Sequence, residues 1–364
     1  MTTRERFNRT MKGETVDRVP FMKVFGGDNA VVPAWEREYP GIGKEIDRLL
    51  QFEGGYRGWR CAPVNTNLSR RGKPKVLKED EEKRIERYRD GLVMLVRKNG
   101  DYHGQTIEWP VKNRSDWERV KREHLDPDDP ERFPGKWKEI AARYRERDYP
   151  LQLTHGGVYG FARTIMGDEH LAYAFYDDPA LVHDIMETYT DMVIEIGEKM
   201  LEETDFDLIE CWEDMACRTG CLISPKTFRE FMKPHYEKLA FFAKKYEIET
   251  ILVDSDGYIE DLVPLMLESG VTALYPFEVQ SGNDCFRVRK NHPEVGIIGG
   301  LNKNAMADGP EAIAREIEKA RQLIRLGRFI PGPDHFVLSD VTFANYRYFM
   351  EQLRTAVLTT EPGA

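Results

Sequence analysis

The hydrophobic pattern changes character along the chain. From about residue 137, short apolar runs alternate with longer stretches of helical period. The runs at 151–154, 206–210, 250–253, 272–275, 295–298 and 328–330 read as strands. Between two of them, Leu181, Ile185, Tyr189, Met192, Ile196 and Met200 recur at three-and-four spacing and predict a helix over 180–203. Pro179 sits just inside its start, after Asp178. Ser224-Pro225 opens another helix in the same way, and Pro234 is expected to kink or divide it. A helix from Pro310 ends near Gly327, which suits a left-handed cap. Strands alternating with helices imply a parallel sheet with right-handed crossovers. Over 364 residues the leading architecture is α/β, a TIM-type (β/α)8 barrel forming one domain over 1–364.

The first third departs from that rhythm. Residues 1 to about 55 read as a helix leading through Val19-Pro20 into a first strand, PFMKVFGG. Residues from about 56 to 136 read as an insertion with β character. Within it, 84–89, Asp90-Gly91 and 92–96 predict a hairpin with a two-residue turn. Asn99-Gly100 suggests a second turn, and 126–136, rich in Pro and Asp, a loop. The tail, about 355–364, is expected to fray.

Composition narrows the function. The net charge of −10 argues against a nucleic-acid surface and against a polyanionic substrate. Apolar runs of membrane-spanning length and a signal-peptide core are both missing, so a soluble, cytoplasmic protein is expected, monomeric or homodimeric. The five cysteines lack regular spacing and read as free thiols; Cys211, Cys217 and Cys221 match no zinc pattern.

Candidate chemistry collects where each strand ends, because a barrel of this kind works at the carboxyl ends of its strands. The tips carry His155-Gly156-Gly157, Cys211-Trp212-Glu213-Asp214, Asp254-Ser255-Asp256, Glu278, Asn302-Lys303 and Asp334-His335. Alternation turns Asp254 and Asp256 to one face. Two such carboxylates need a cation between them, or one must hold a proton. A divalent ion on Asp254, Asp256, Glu278 and His335 meets that need, against the plainer reading that Asp256 caps the next helix. His155 reads equally as a ligand contact or a satisfied histidine beside a turn, while His103 and His292 fall in surface segments. His155, Trp212, Glu213, Asp214, Tyr275 and Asn302 are the candidate substrate-binding residues, although ordinary barrel core is the plainer role for each aromatic.

Four segments carry a resemblance: RFNRTMKGETVDRVPF, DMACRTGCLISPKTFREFMKPHY, ILVDSDGYIEDLVPLMLESGVTALYPFEVQSG and GRFIPGPDHFVLSDVTFANYRYFM. Together they resemble the uroporphyrinogen decarboxylase superfamily over nearly the whole chain, least across 56–136. The superfamily implies a TIM-type barrel and at least two chemistries. True decarboxylases carry a segment like MRQAGR, whose arginines grip the substrate carboxylates; the matching region here, MKVFGGDNAVVPAWERE, lacks them. The second group, corrinoid-linked methyltransferases, carries a zinc motif similar to H-x-C, a later Glu and a Cys near the last strand. Asp254-x-Asp256, Glu278 and Asp334-His335 occupy those places with different ligand types, which suits an oxygen substrate better than a thiol.

The resemblance therefore implies a methyltransferase of the O-demethylase kind. It would move a methyl group from a small methylated compound, such as an aryl methyl ether, to a corrinoid supplied by a partner protein. A divalent metal, zinc first, would stabilise the departing oxygen. Alternatively His335 would protonate it, with Asp334 or Asp254 holding the imidazole. The competing expectations are a divergent decarboxylase and a non-catalytic ligand-binding member of the fold.

Overall fold

A computed structural model describes residues 1–25, 31–56, 58–69, 72–98 and 104–363. The Asn99-Gly100 turn and His103 lie outside those residues. The strands, in chain order, are β1 (Met22–Lys23), β2 (Glu53–Tyr56), β3 (Arg60–Cys61), β4 (Lys75–Glu79), β5 (Lys83–Arg87), β6 (Val93–Arg97), β7 (Gln105–Glu108), β8 (Leu151–His155), β9 (Leu208–Trp212), β10 (Ala216–Cys217), β11 (Gly220–Cys221), β12 (Thr250–Asp254), β13 (Ala273–Tyr275), β14 (Gly296–Leu301) and β15 (Phe329–Pro333). All six strands expected from the apolar runs form, with ends shifted by a few residues.

A 7-stranded sheet runs β15-β14-β13-β12-β9-β8-β3, and its ladders are parallel. Strand β1 pairs in parallel with β2, which precedes β3 in the same position of the wall. Those seven positions plus β1 make the eight of a TIM barrel. Closure comes where Val24, beyond β1, meets Gly332 of β15: a Cβ at Gly332 would collide with the Val24 side chain. The stretch expected to be wholly insertion therefore begins with a piece of barrel wall. The inserted sheet proper is antiparallel, β4-β5-β6-β7. Its central hairpin forms, but through a three-residue loop: Tyr88 donates its N–H to the Leu92 carbonyl at 2.8 Å, with Gly91 at φ +103. That glycine supplies the left-handed step of a three-residue bulged turn.

Two apolar layers hold the barrel. One fills its interior: Phe7, Met11, Met22, Val24, Trp59, Leu208, Leu252, Ala273, Tyr275, Ile298 and Ile330. Phe7 and Met11 belong to the helix Thr3–Lys12, whose capping box pairs Thr2 with Glu5, and they stop the amino-terminal end of the barrel. Arg4 on the same helix reaches Asp207 at 2.7 Å, and Asp207 is also bound by the buried Arg147 at 2.8 Å. The other layer lies between strands and helices. The helix Pro179–Leu201 buries every residue of its expected face, and Asp178 caps it through the Leu181 N–H. Ser224 caps the next segment, and a π-type turn, Phe228–Met232, absorbs the disturbance before Lys233–Lys245, the helix containing Pro234. The helix Pro310–Arg325 ends before Gly327, whose φ is +81.

Two expectations fail in these layers. The tail does not fray over 355–363: the helix Phe343–Thr359 buries Ala356 and Val357, and Gly363 donates to the Ile324 carbonyl at 3.0 Å. His155 is not a substrate contact. It shares strand parity with Leu151 and Leu153, so it faces the helices rather than the barrel interior. It is fully buried, its ring meets Tyr189 edge-on at 4.9 Å, and neither ring nitrogen has a hydrogen-bond partner among the described residues.

Burial, reinforced by His235, pushes the His155 imidazole down to about 3. The unfolded chain binds that proton at about 6.5, so below that pH it gains protons the folded chain refuses. Stability contributed by neutral His155 is therefore complete above about pH 6.5 and is lost as pH falls towards 3. Urea unfolding should show stability falling by up to about 1.4 kcal/mol per pH unit in this window from this residue. His155→Leu should flatten the slope; an unchanged slope would refute the assignment.

Candidate active site

The barrel mouth is built by the segments that leave β9, β12 and β15. At the end of β9, Trp212 is 37% exposed, with the Arg163 guanidinium 5.2 Å from its ring centre. The next residue, Glu213, is fully buried and turns away from the mouth. Its carboxylate accepts the backbone N–H groups of Val158, Tyr159 and Gly160 at 2.8, 2.8 and 2.9 Å, and also the Tyr236 hydroxyl. These donors are the first turn of the helix Val158–Met166, where a negative charge is favoured by the orphan N–H groups and the helix dipole. Burial raises the Glu213 pKa against the lowering effect of those bonds. Glu213 is thus a fastening, not a substrate contact as expected. Close approach is possible because Gly157 and Gly160 lack side chains: a Cβ on Gly160 would collide with the Trp212 carbonyl oxygen.

Asp214 comes next in a left-handed conformation, φ +43. Its Oδ1 accepts the Asp256 N–H at 3.3 Å, and its other oxygen lies 3.6 Å from Arg163. Asp214, Asp254 and Asp256 each offer a carboxylate oxygen, and the three oxygens lie within 4.8 Å of one another. Burial first, and then the charge of Asp256, raises the Asp214 pKa. The expected pair of aspartates is therefore a trio. Asp256 also receives His335, whose Nε2 is 3.0 Å from its Oδ2. The His335 ring stacks on Phe25 at 5.4 Å and meets Phe336 edge-on at 5.0 Å. Phe25 in turn stacks on Tyr275 at 5.3 Å.

The remaining expected site residues brace loops. Glu278 does not join the converging oxygens: its Oε2 accepts the Gly257 N–H at 2.9 Å and the Ser281 hydroxyl at 2.8 Å. Asp334 does not hold the His335 ring. It is fully buried, and its two oxygens accept the Lys303 N–H at 2.9 Å and the Gln280 N–H at 3.1 Å, tying together the loops after β13 and β14. Burial raises its pKa. Asn302 uses its side-chain oxygen to accept the Asn304 N–H at 2.8 Å, a local turn. Tyr275 is fully buried beneath Phe25 and donates to the Val24 carbonyl at 3.3 Å.

All five cysteines are free, as expected. Cys217 and Cys221 stand on opposite faces of the β10–β11 hairpin, since Cys217 pairs with Gly220 and Ala216 with Cys221. His292 ends the helix Cys285–Asn291, away from the mouth. Sequence reasoning passed over Arg163 and Phe25, which neighbour the site from a helix and from the first strand.

Asp214, Asp254 and Asp256 are the residues at this mouth that could hold a cation. Three carboxylates so close repel unless a positive charge or protons intervene. The donor set is all oxygen, with an imidazole one carboxylate away, and it suits a hard divalent ion. Among the described residues, no helix is long and apolar enough to cross a membrane.

No curated protein matches the chain in sequence. Among solved structures it is similar to a methyltransferase from Methanosarcina mazei, at 15% identity and a TM-score of 0.60, with 98% of each chain covered; at that identity the likeness concerns the fold. The family model described as uroporphyrinogen decarboxylase (URO-D) matches residues 99–356, well over half of the sequence. With its barrel and its acidic mouth, the chain belongs to the uroporphyrinogen decarboxylase (URO-D) family.

Proposed function

We propose that the protein transfers a methyl group from a small methylated compound, with an aryl methyl ether as the fitting donor, to a corrinoid carried by a partner protein. The observation that carries this reading is the trio of Asp214, Asp254 and Asp256 with His335 bound to Asp256. A fold-level likeness to a methyltransferase supports it. The acidic mouth also disfavours a substrate bearing many carboxylates, because each would meet like charge. The corrinoid, when present, supplies the reduced cobalt that attacks the methyl carbon.

The chain's own task is then to manage the oxygen that departs. His335 is held on three sides: Asp256 at Nε2, Phe25 on its face and Phe336 at its edge. With Nε2 donating to Asp256, the proton the ring would deliver to substrate is one on Nδ1. The Trp212 indole, exposed at the rim, offers a flat apolar face to an aromatic ring. A divalent ion, when bound, would be held by Asp214, Asp254 and Asp256 and would supply Lewis acidity towards the same oxygen. Zinc remains a candidate, and the oxygen-only set also admits manganese or magnesium.

Conversion of Co(I) to methyl-Co(III), followed spectrally across methyl donors, tests the reading; no conversion with any donor would defeat it. His335→Gln should slow transfer by about 10²–10⁴-fold for donors with poor oxygen leaving groups, and by less for activated ones. A uniform loss across the donor series would remove His335 from proton delivery. Elemental analysis should find a divalent metal that Asp254→Asn or Asp214→Asn releases and Glu278→Gln retains. Retention by both aspartate variants would place the ion elsewhere.

A further inference from the structure

We propose that the cavity walled by Trp212, on the flank of the acidic mouth, receives the body of the methyl donor and selects an uncharged aromatic ring. This deepens the methyl-transfer reading and rests on the mouth being the reacting centre. The cavity measures about 450 Å³, within the range of small-ligand pockets. Asn67 and Leu68 reach it from the segment after β3, Phe161, Thr164 and Ile165 from the helix after β8, and Trp212 from the end of β9. Those three strands are consecutive in the sheet, so the cavity lies over their carboxyl ends, on one side of the mouth. Register pairs Trp212 with Asp254. Arg163 spans the boundary: its guanidinium lies 5.2 Å from the centre of the Trp212 ring and 3.6 Å from the Asp214 carboxylate. The cavity and the aspartate trio are therefore neighbours.

The two flanks differ in charge. The trio gathers three carboxylates, whereas none of the side chains lining the cavity is ionisable. A charged group entering the cavity would lose water without gaining a partner, which is costly. Arg163, the cation at its boundary, is already engaged: it donates to the Asp214 carbonyl at 2.6 Å and lies 3.6 Å from Asp168. The walls suit a flat ring. Trp212 exposes its indole, while Phe161 is fixed by stacking on Tyr189 at 3.7 Å, and Leu68 and Ile165 are buried. Such pre-placed apolar side chains hold an aromatic ring by stacking and dispersion at little entropic cost. The Thr164 hydroxyl donates to the Gly160 carbonyl at 2.8 Å, so it adds no unmet polar group. The donor is thus divided between two environments: its ring in the neutral cavity, its methoxyl oxygen towards the aspartates and His335.

Calorimetric titration of the full chain with 4-methoxybenzamide and with 4-methoxybenzoate tests this, since the two share a shape and differ in charge. The amide should bind about tenfold more tightly. Repulsion by the trio alone would give the same order, so the cavity is tested by filling it. Thr164 occupies an exposed helix position. Thr164→Phe should weaken binding of the amide by about tenfold and Thr164→Val should not, with circular dichroism verifying the fold. A cocrystal of the unaltered chain with 4-methoxybenzamide, which needs no variant, should show the ring in contact with Trp212 and Leu68. Equal affinities, tighter binding of the benzoate, no binding of the amide, an unchanged affinity in folded Thr164→Phe, or a cocrystal with the ring outside the cavity would each overturn the proposal. These readouts are binding alone. A protein that seats the ring in the cavity yet methylates no cobalt would defeat the methyl-transfer reading and leave the cavity's role standing.

Discussion

The buried carboxylate of Glu213 is the fastening on which the mouth depends. It holds the first turn of the helix after β8 against the end of β9, using three N–H groups more than fifty positions away. Each bond is shielded from water and satisfies an N–H group that the helix start leaves without a partner of its own. With Glu213 committed to that side, the chain must reverse at Asp214, and the left-handed backbone there turns the next carboxylate towards Asp256. One acid is spent on architecture so that its neighbour can face the pocket. Substituting Glu213 would disturb Asp214 and Trp212 together, although neither touches its carboxylate.

The trio of aspartates and His335 form a graded arrangement rather than a uniform acidic patch. Asp254 is nearly buried, Asp214 is half-buried beside Arg163, and Asp256 is the most open and carries the imidazole. The carboxylates are thus packed most deeply at the bottom of the mouth, with a guanidinium and an imidazole at its rim. A developing negative charge on a substrate oxygen would be repelled by bare carboxylates. A cation or a proton among the three carboxylates would relieve their repulsion, so the proposed metal and the proposed acid rest on the same geometric fact.

Much of the scaffold was legible in the primary structure. Apolar runs located six strands, and capping residues such as Asp178 and Ser224 marked helix starts, because these signals act within a few residues. The convergence of Asp254, Asp256 and His335 was legible as well, since strand tips of one barrel must meet. What failed was the direction of individual side chains. Glu278 and Asp334 end strands as expected, but each found backbone N–H groups from neighbouring loops, and no spacing in the sequence announces those donors. His155 was a different failure. Its parity with Leu151 and Leu153 already pointed it at the helices, and the same parity marks Gln152 and Thr154 as inward-facing polar residues.

The stopper of Phe7 and Met11 has a consequence for the order of events. A mouth whose barrel is filled beneath it has a single doorway. If a bulky protein must cover that doorway to present its cobalt, the small donor has to be inside beforehand, and the demethylated product can leave only once the visitor withdraws. Steady-state turnover would then obey a compulsory sequence, with the carrier protein inhibiting when it arrives too early.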